Sequence, residues 1–452
     1  MSGSLFATAR GLTLRCLLFG LLLSPAAAAQ PKLAITHITW IDANGAPAQL
    51  NMTLIIARGR VIQLGKSGTV RVPRNARVVD CTGKFLIPGL WDMHVHIGNE
   101  EIDRSALLSL FVANGITGVR VMSGDPKHLL WRREIQLGRL LGPEMVVAFG
   151  PLEDESTTTA TQAREAVRKA KLGGWDFFKV HDNLPRASYF ALMKKAKRLR
   201  VRVEGHVPLS LTVVEVSNAG QRSIEHFTGL AKAETDLGEA DKVSGVLKKN
   251  HTWHCPTLVM RHNYAVLNDR NLLNDSRLSY AKKSWKSWWL PMVNSSGSMP
   301  ADEWVRRKET VRREQGLVGR FQAAGVGLLA GTDDGNPFVF PGFSLHEELA
   351  LLVDSGLTPL QALQTATLNP ANFFNQPGVR NGAAPQGSKR VVASRTIAPG
   401  KRANLVLLDA NPLLDIHNST KINAVIINGQ LLDRNQLDSL LASAKAALAA
   451  SH

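Results

Sequence analysis

The chain has 452 residues, of which 44% are hydrophobic, enough for a large core and usually for more than one domain. Lys and Arg exceed Asp and Glu by 17, but these basic residues are scattered and no nucleic-acid-binding motif accompanies them. We interpret the excess as a solvated basic surface, and we expect no nucleic-acid partner. No repeat at a fixed period and no long low-complexity tract is present, which argues against a repeat architecture.

The first residues have the pattern of a secretory signal peptide, and we assign it to residues 1–29. Arg10 and Arg15 precede the apolar run Cys16–Leu23, and small residues follow in Ser24–Gln30. Cleavage after Ala29 lowers the net charge from +17 to +15. The apolar run is too short to span a bilayer, and no other run of spanning length follows. We expect an exported protein, periplasmic or secreted, with no membrane anchor in its mature form.

Short β-type runs lie near both ends of the chain. The predicted strands are Leu33–Ile41, Met52–Ala57, Arg60–Leu64, Ala76–Asp80, Ala403–Asp409 and Ala424–Ile427. Asn428-Gly429 is a typical hairpin turn. We predict that residues 30–87 and 386–435 form one composite β-sandwich domain, followed by a C-terminal helix over residues 436–452.

Between these ends, apolar strands alternate with amphipathic helical stretches, a pattern typical of parallel strands joined by helices. Eight strands are predicted, near Gly89–His96, Thr117–Ser123, Glu144–Gly150, Trp175–Val180, Val201–His206, Ser223–His226, Thr252–Leu258 and Val326–Asp333. The fold class is therefore α/β, with a (β/α)8 TIM barrel over residues 88–385. Functional residues of such a barrel lie at the C-terminal ends of its strands.

The connection between the last two predicted strands, Val259–Gly325, is unusually long. It carries Trp285, Trp288, Trp289 and Trp304. Two interpretations are open. The segment is either a lid over the mouth of the barrel or a set of helices packed on its outer wall, where tryptophan is commonly buried.

The first barrel strand ends in two histidines that share one face. In a strand, alternate side chains point the same way, so His94 and His96 project together toward the barrel mouth, an arrangement that suits a divalent metal such as zinc. The surrounding stretch Lys84–His96, KFLIPGLWDMHVH, resembles the opening motif of the amidohydrolase superfamily, in particular its imidazolonepropionase-like and Xaa-Pro dipeptidase-like branch. Pro359–Ala371 and Ile397–Leu408 also resemble segments of these enzymes.

The resemblance implies that further metal ligands come from strands four, five, six and eight. Residues of the required type end each of those predicted strands: Lys179, His206, His226 and Asp333. A lysine buried among aromatic residues has a lowered pKa, and its neutral amine can react with carbon dioxide to give a carbamate that bridges two metals. On the residues alone, an unmodified lysine paired with a nearby acid is favoured; the resemblance favours the carbamate.

The activity implied by the resemblance is metal-dependent hydrolysis of an amide bond in a dipeptide or an N-acyl amino acid. It implies two divalent ions, for which we expect zinc, a hydroxide that bridges them, and proton transfer by Asp333. A lactonase or a phosphotriesterase on the same metals remains open, as does a non-catalytic binding barrel, because the fold alone does not determine the reaction.

Three further polar residues near strand ends are candidate substrate contacts: His181, His254 and Arg120. The alternative is that they support the ligands or the fold by hydrogen bonds. The mature chain retains Cys81 and Cys255, which we expect to be two separate buried thiols, although a disulfide is open. We expect a small-molecule substrate, and a homo-oligomer is possible.

Overall fold

In the computed structural model, the described residues are 32–150, 152, 156–376 and 396–450. The signal peptide assigned to residues 1–29 and the domain boundary expected at residues 385 and 386 lie outside these ranges. Among the helices of the described ranges, none combines the length and the apolar character that a bilayer crossing requires.

The described residues form two sheets. In chain order the strands are β1 (Leu33–Trp40), β2 (Gln49–Ala57), β3 (Arg60–Lys66), β4 (Arg77–Asp80), β5 (Phe85–Pro88), β6 (Leu90–Val95), β7 (Ile116–Val121), β8 (Glu144–Phe149), β9 (Phe177–Val180), β10 (Arg202–Gly205), β11 (Ser223–Glu225), β12 (Trp253–Cys255), β13 (Leu405–Leu408), β14 (Ile422–Ile427) and β15 (Gln430–Asp433).

The helices surround the second of these sheets. They are α1 (Leu108–Ala113), α2 (Pro126–Gln136), α3 (Ala160–Leu172), α4 (Arg186–Leu199), α5 (Val213–Ala219), α6 (Leu237–Asn250), α7 (Leu258–Ala265), α8 (Lys283–Asn294), α9 (Ala301–Ala324), α10 (Ser344–Asp354), α11 (Pro359–Thr365), α12 (Leu368–Phe374) and α13 (Arg434–Ala450).

The first sheet joins both ends of the chain. Its order is β15-β14-β13-β5-β1-β2-β3, with β4 paired to β1. The antiparallel pairing of β5 with β13, in which Leu86 faces Leu407, connects the N-terminal strands to the C-terminal ones. The composite β domain is therefore confirmed. Its strands pair into one continuous mixed sheet, whereas the predicted sandwich would consist of two separately paired sheets.

The predicted Asn428-Gly429 hairpin lies in this first sheet. Both residues have positive φ, 50° and 79°, as a type I′ turn requires, and they join β14 to β15.

The second sheet is the barrel. The parallel strands β6 to β12 follow one another in chain order. The predicted eighth strand, Val326–Asp333, is not a regular strand; it makes a single β-bridge from Leu328 to His254. It nevertheless closes the barrel, because Leu329 N donates to His254 O (2.9 Å) on one side and Asp333 N donates to His94 O (2.8 Å) on the other.

Glycine explains the irregular closing segment. A Cβ at Gly331 would lie 2.6 Å from Cys255 Sγ and 2.8 Å from His94 Cβ, and one at Gly327 would lie 2.3 Å from the Trp253 ring. The backbone approaches its neighbours too closely for any side chain at these positions. Close packing of the backbone at these glycines thus takes the place of part of the regular hydrogen-bond pattern between strands.

The long connection Val259–Gly325 serves both of the roles considered for it. Leu317, Val318 and Phe321 of α9 are buried in the main core with the outer barrel helices. In contrast, Trp285 of α8 lies against Gly335 at the barrel mouth, where its ring is 3.4 Å from an ideal Cβ on that glycine. One half of the connection is therefore outer wall, and the other half borders the mouth.

The barrel interior contains a buried charge network centred on Arg120 of β7. Its guanidinium donates to Glu204 Oε2 (2.8 Å), Ser223 Oγ (2.9 Å) and both oxygens of Glu225 (2.9 and 2.8 Å). Its Nε donates to the carbonyl of Met93. Arg120, Glu204 and Glu225 are fully buried. Arg120 was a candidate substrate contact, and this placement corrects that expectation, because its donors are directed at the barrel interior.

Replacing Arg120 tests this network. Arg120→Met leaves buried Glu225 without its cation and Glu204 with only the more distant Arg202 (3.3 Å), so we expect the free energy of unfolding to fall by about 3–5 kcal/mol, measured by urea denaturation. Arg133→Met, on the exposed side of α2, is the matched control and should change little. An Arg120→Met protein as stable as the parent would contradict a structural role for the network.

Candidate metal centre

The predicted ligands at the ends of the barrel come together around one carboxylate. Asp333 Oδ1 lies 2.9 Å from His96 Nε2 and 3.3 Å from His94 Nε2, and Asp333 Oδ2 lies 3.7 Å from His226 Nε2. Ligand atoms of His94, His226 and Asp333 all lie within 4.8 Å of one another. Three imidazoles and a carboxylate at this spacing are a donor set that suits zinc or a similar divalent ion.

His206 and Lys179 lie next to this group. The His206 ring centroid is 5.0 Å from that of His226. Lys179, at the end of β9, is almost completely buried, and burial is the main cause that lowers its pKa, against the charges of Glu225 and Asp333. Within the described ranges Lys179 forms no salt bridge, so the alternative of a lysine paired with an acid has no partner there.

Two of the predicted ligands have left-handed backbone conformations. φ is 57° at His226 and 60° at Asp333, values that are uncommon for residues other than glycine and that cluster at functional sites. Backbone hydrogen bonds hold both residues: His226 N donates to Cys255 O (2.9 Å) and Asp333 N to His94 O (2.8 Å). Each strained residue is thus fixed by the neighbouring barrel segment.

Each of three histidines is oriented by a partner on its Nδ1 atom. His94 Nδ1 lies 2.9 Å from Glu225 Oε2, His206 Nδ1 lies 3.0 Å from Asp182 Oδ1, and His226 Nδ1 lies 2.6 Å from Thr257 Oγ1. The Nε2 atoms are therefore left to bind a metal, because a ligating histidine commonly uses its other ring nitrogen for a hydrogen bond. His94 Nε2 is buried and has no hydrogen-bond partner among the described residues. A divalent ion would satisfy it, so the residues fit the expected metal.

The protonation states also suit metal binding. Burial, with the charge of Lys179, lowers the pKa of His94 to about 3, and burial lowers that of His206 and places that of His226 well below its usual range. Burial opposes ionisation of Asp333, but the neighbouring imidazoles, first those of His94 and His226, hold its pKa well below normal. Neutral imidazoles and an ionised carboxylate are the forms that bind metal.

Two buried acids beside the ligands were not predicted to act there. Asp92 accepts hydrogen bonds from Thr332 Oγ1 (2.7 Å) and from His94 N (3.2 Å). Asp334 Oδ1 accepts from His96 N (2.6 Å), and Asp334 is almost completely buried. Burial raises the pKa of each of these carboxyl groups to about 7. They fix the backbone on either side of His94.

The remaining candidate substrate contacts occupy different positions. His181 stacks on His206 with ring centroids 4.8 Å apart and lies at the mouth side of the site. His254 is fully buried, donates from Nε2 to His226 O (2.7 Å), and packs against Phe227 and Phe321. His254 therefore supports His226 from behind, which corrects the expectation that it reaches a substrate. Arg120, as described above, is also interior.

A cavity of about 420 Å³ opens next to the ligands. It is lined by His96, Asp333, Ser123, Asn336 and, from the long connection, Lys282 and Trp285. The Lys282 ammonium pairs with Asp103 and lies 5.0 Å from the Trp285 ring centroid. The volume suits a small molecule. One wall of the cavity is thus formed by the Lys282 ammonium group and the Trp285 indole, neither of which is among the predicted metal ligands.

The same wall holds the loop that contains Asp333. Trp289 is fully buried, stacks on Trp285 with ring centroids 5.6 Å apart, and donates from Nε1 to Gly335 O (3.2 Å). Asn336 donates to Asp333 O (2.8 Å) and accepts from the Tyr264 hydroxyl (3.1 Å). The insertion therefore stabilises the turn that follows the carboxylate.

Cys81 and Cys255 are both free and buried. Cys81 belongs to the core of the mixed sheet and Cys255 to the barrel interior, as expected for two separate thiols.

Glu225 offers a test of how the ligands are oriented. Glu225→Gln removes the charge that orients the His94 imidazole and raises the basicity of its Nε2 atom. We therefore expect metal affinity to fall about 10- to 100-fold. Competition with a chelator, followed by elemental analysis, measures it. Glu309→Gln, on the exposed face of α9, is the control. Unchanged affinity in Glu225→Gln would contradict the orienting role.

Comparison with known proteins identifies the family of the chain. The sequence profile of the Amidohydrolase family matches residues 85–379, about two thirds of the chain. Among curated proteins, the chain is 27% identical over 109 residues to an adenine deaminase of Ruegeria pomeroyi and 26% identical over 103 residues to a protein from Picrophilus torridus named as an adenine deaminase. These matches cover 24% and 23% of this chain but only 18% and 14% of the relatives.

Solved structures share the fold over most of its length. A protein of Bifidobacterium longum assigned as a prolidase has a TM-score of 0.70 at 22% identity, covering 92% of this chain and 99% of that one. Bottromycin amidohydrolase has a TM-score of 0.70 at 24% identity, covering 92% and 90%. A Xaa-Pro dipeptidase with bound methionine has a TM-score of 0.64 at 18% identity, covering 89% and 100%. Because the family profile matches about two thirds of the chain, the chain is a member of the amidohydrolase family.

Proposed function

We propose that the protein hydrolyses the amide bond of a dipeptide or an N-acyl amino acid, using two divalent metal ions, with zinc as the expected metal. The observation that carries the proposal is the convergence of His94, His96 and His226 on Asp333, with distances of 2.9 to 3.7 Å between Nε2 and carboxylate oxygen atoms. Members of the family act on carbon–nitrogen bonds, and the solved relatives named as prolidase and dipeptidase point to small amino-acid derivatives.

The six predicted ligands would hold the ions as two neighbouring groups. One ion would be held by His94, His96 and Asp333 and the other by His206 and His226, and Lys179 is buried at the end of β9, the strand next to β10. When bound, two such ions supply Lewis acidity for the scissile carbonyl and lower the pKa of a water molecule. We propose that Lys179 joins the two groups as a carbamate, formed when its neutral amine bonds to the carbon of CO2 and releases one proton.

Asp333 would carry the proton through the reaction. Its low pKa keeps the carboxylate ionised at neutral pH, so it can accept a proton from the attacking water. The same group then delivers that proton to the leaving nitrogen, which would otherwise depart as a very poor leaving group. The hydrogen bond from Asn336 to the Asp333 carbonyl keeps the residue in its strained conformation. Asp333 is therefore the proposed general base and general acid.

The cavity wall indicates which end of a substrate it accommodates. Trp285 offers an apolar face, and Lys282 offers a cation that is half of an ion pair with Asp103. A leaving amino acid carries a carboxylate, which the ammonium group of Lys282 can attract, and an apolar side chain, which the indole can cover. These features favour an amino-acid derivative with an apolar leaving part over a highly polar substrate.

A substrate panel tests the proposed function. The zinc-loaded mature enzyme should hydrolyse Xaa-Pro or other dipeptides or N-acyl amino acids, and Asp333→Asn should lower kcat by about 100-fold or more while keeping the fold by circular dichroism. Lactones and aryl phosphotriesters belong in the same panel. Turnover confined to those esters, or full activity of Asp333→Asn, would overturn the proposal.

The carbamate has its own test. Protein equilibrated with ¹³C-labelled bicarbonate should show a carbamate carbonyl resonance that is lost in Lys179→Met, and metal content should fall from two ions per chain to one or none. Lys194→Met, an exposed lysine on α4, should leave both measurements unchanged. Two tightly bound ions in Lys179→Met would show that the lysine does not join the metals.

A further inference from the structure

A second recess lies on the opposite face of the barrel from the metal ligands. Its volume is about 290 Å³, and it is bounded by the end of α4, the start of β10, the end of α5 and the residue before β11. The same two strands end in His206 and His226 at the other face. The recess is therefore separated from the metal centre by the length of the barrel strands, and the hydrolytic site makes no use of it.

Four basic side chains line this recess: Lys197, Arg200, Arg202 and Arg222. Arg222 is largely buried, and its Nε is buried without a hydrogen-bond partner among the described residues. A terminal nitrogen of Arg222 lies 3.5 Å from Phe373 O, which is long for a hydrogen bond. A buried cation without an anionic partner is costly. Burial, together with the charge of Arg202, lowers the pKa of Arg222 to about 10 despite Glu204.

The carboxylates nearby do not balance these cations. Glu204 lies 3.3 Å from Arg202 Nε, but its other oxygen is 2.8 Å from Arg120. Within the described part of the chain, Lys197, Arg200 and Arg222 form no salt bridge. The C-termini of α4 and α5 each add roughly half a negative charge. Among the described residues, Lys197, Arg200 and Arg222 therefore face about one unit of dipole charge and no carboxylate in an ion pair, and the recess keeps a positive excess.

The floor of the recess is apolar. Met193, Ala196, Val201 and Val203 line it and are buried. A recess with cations around an apolar floor suits a ligand with an oxyanion head and a small hydrocarbon body, since the charges fix the head and the floor covers the rest.

We propose that this recess, with Arg222, which has no anionic partner among the described residues, at its wall and Arg200 and Lys197 at its rim, is a binding site for a small oxyanion, a carboxylate or a phosphate. Arg222 provides the desolvated donor, which gains most from an anion, and the exposed pair provides long-range attraction. The site is independent of substrate hydrolysis, because it lies at the other end of the strands.

Calorimetric titration of the purified full-length mature protein tests the site. Inorganic phosphate and benzoate are titrated separately, each against sodium chloride of equal ionic strength. We expect saturable binding of at least one of the two anions, weakened at least tenfold by Arg222→Met. Tighter binding of benzoate would assign the natural ligand to organic carboxylates, and tighter binding of phosphate would assign it to phosphates. The exposed Arg133→Met on α2 is the matched control and should bind as the parent does.

A second variant guards against a folding defect in Arg222→Met. Lys197→Gln combined with Arg200→Asn removes two exposed charges, and asparagine tolerates the left-handed conformation of Arg200 (φ 55°). This pair should also weaken binding. Phosphate held at the metal centre would instead bind equally to both variants and be lost in Asp333→Asn, which would overturn the proposal. Absence of saturable binding at millimolar concentrations of both anions would overturn it as well.

Discussion

The metal centre depends on a chain of buried charges that runs through the barrel. Arg120 holds Glu225 with two hydrogen bonds, and Glu225 in turn holds Nδ1 of His94. Each member is fully buried, so removing one leaves an uncompensated group in a medium that solvates it poorly. Arg120 also lies 5.4 Å from the Phe373 ring, at the apolar base of the barrel. The orientation of a candidate metal ligand is therefore set from within the barrel interior.

Much of the architecture could be predicted because it follows from periodicity and from one specific motif. The succession of strands came from alternating apolar runs. The choice of His206, His226 and Asp333 at strand ends came from the family resemblance carried by the segment around His94 and His96. The irregular closing segment was not predictable, since its backbone is set by contacts of Gly327 and Gly331 with distant residues. The sequence pattern of an apolar run ending in Asp333 is the same whether or not the segment pairs as a regular β-strand.

The side chains that hydrogen-bond to the candidate ligands were not predicted from the sequence. Glu204 and Glu225 stand within the stretches RVEGH and SIEH, and an acidic residue inside a buried strand is a signal of pairing. That signal was available, but it names no partner, and Arg120 was therefore interpreted as a substrate contact. Asp182 and Thr257 lie in loops, and only the three-dimensional structure brings them to the Nδ1 atoms of His206 and His226.

The pairing of β5 with β13 has a consequence for how the chain reaches this state. Leu86 meets Leu407 in the mixed sheet, so the N-terminal strands have an open edge until almost the whole chain is present. Contacts this distant in sequence slow folding, and an unpaired strand edge is open to association with other chains. The barrel strands all precede β13 in the chain, so they can pair while the sheet beside them is unfinished. The strands β13 to β15, which are followed by α13, close that edge.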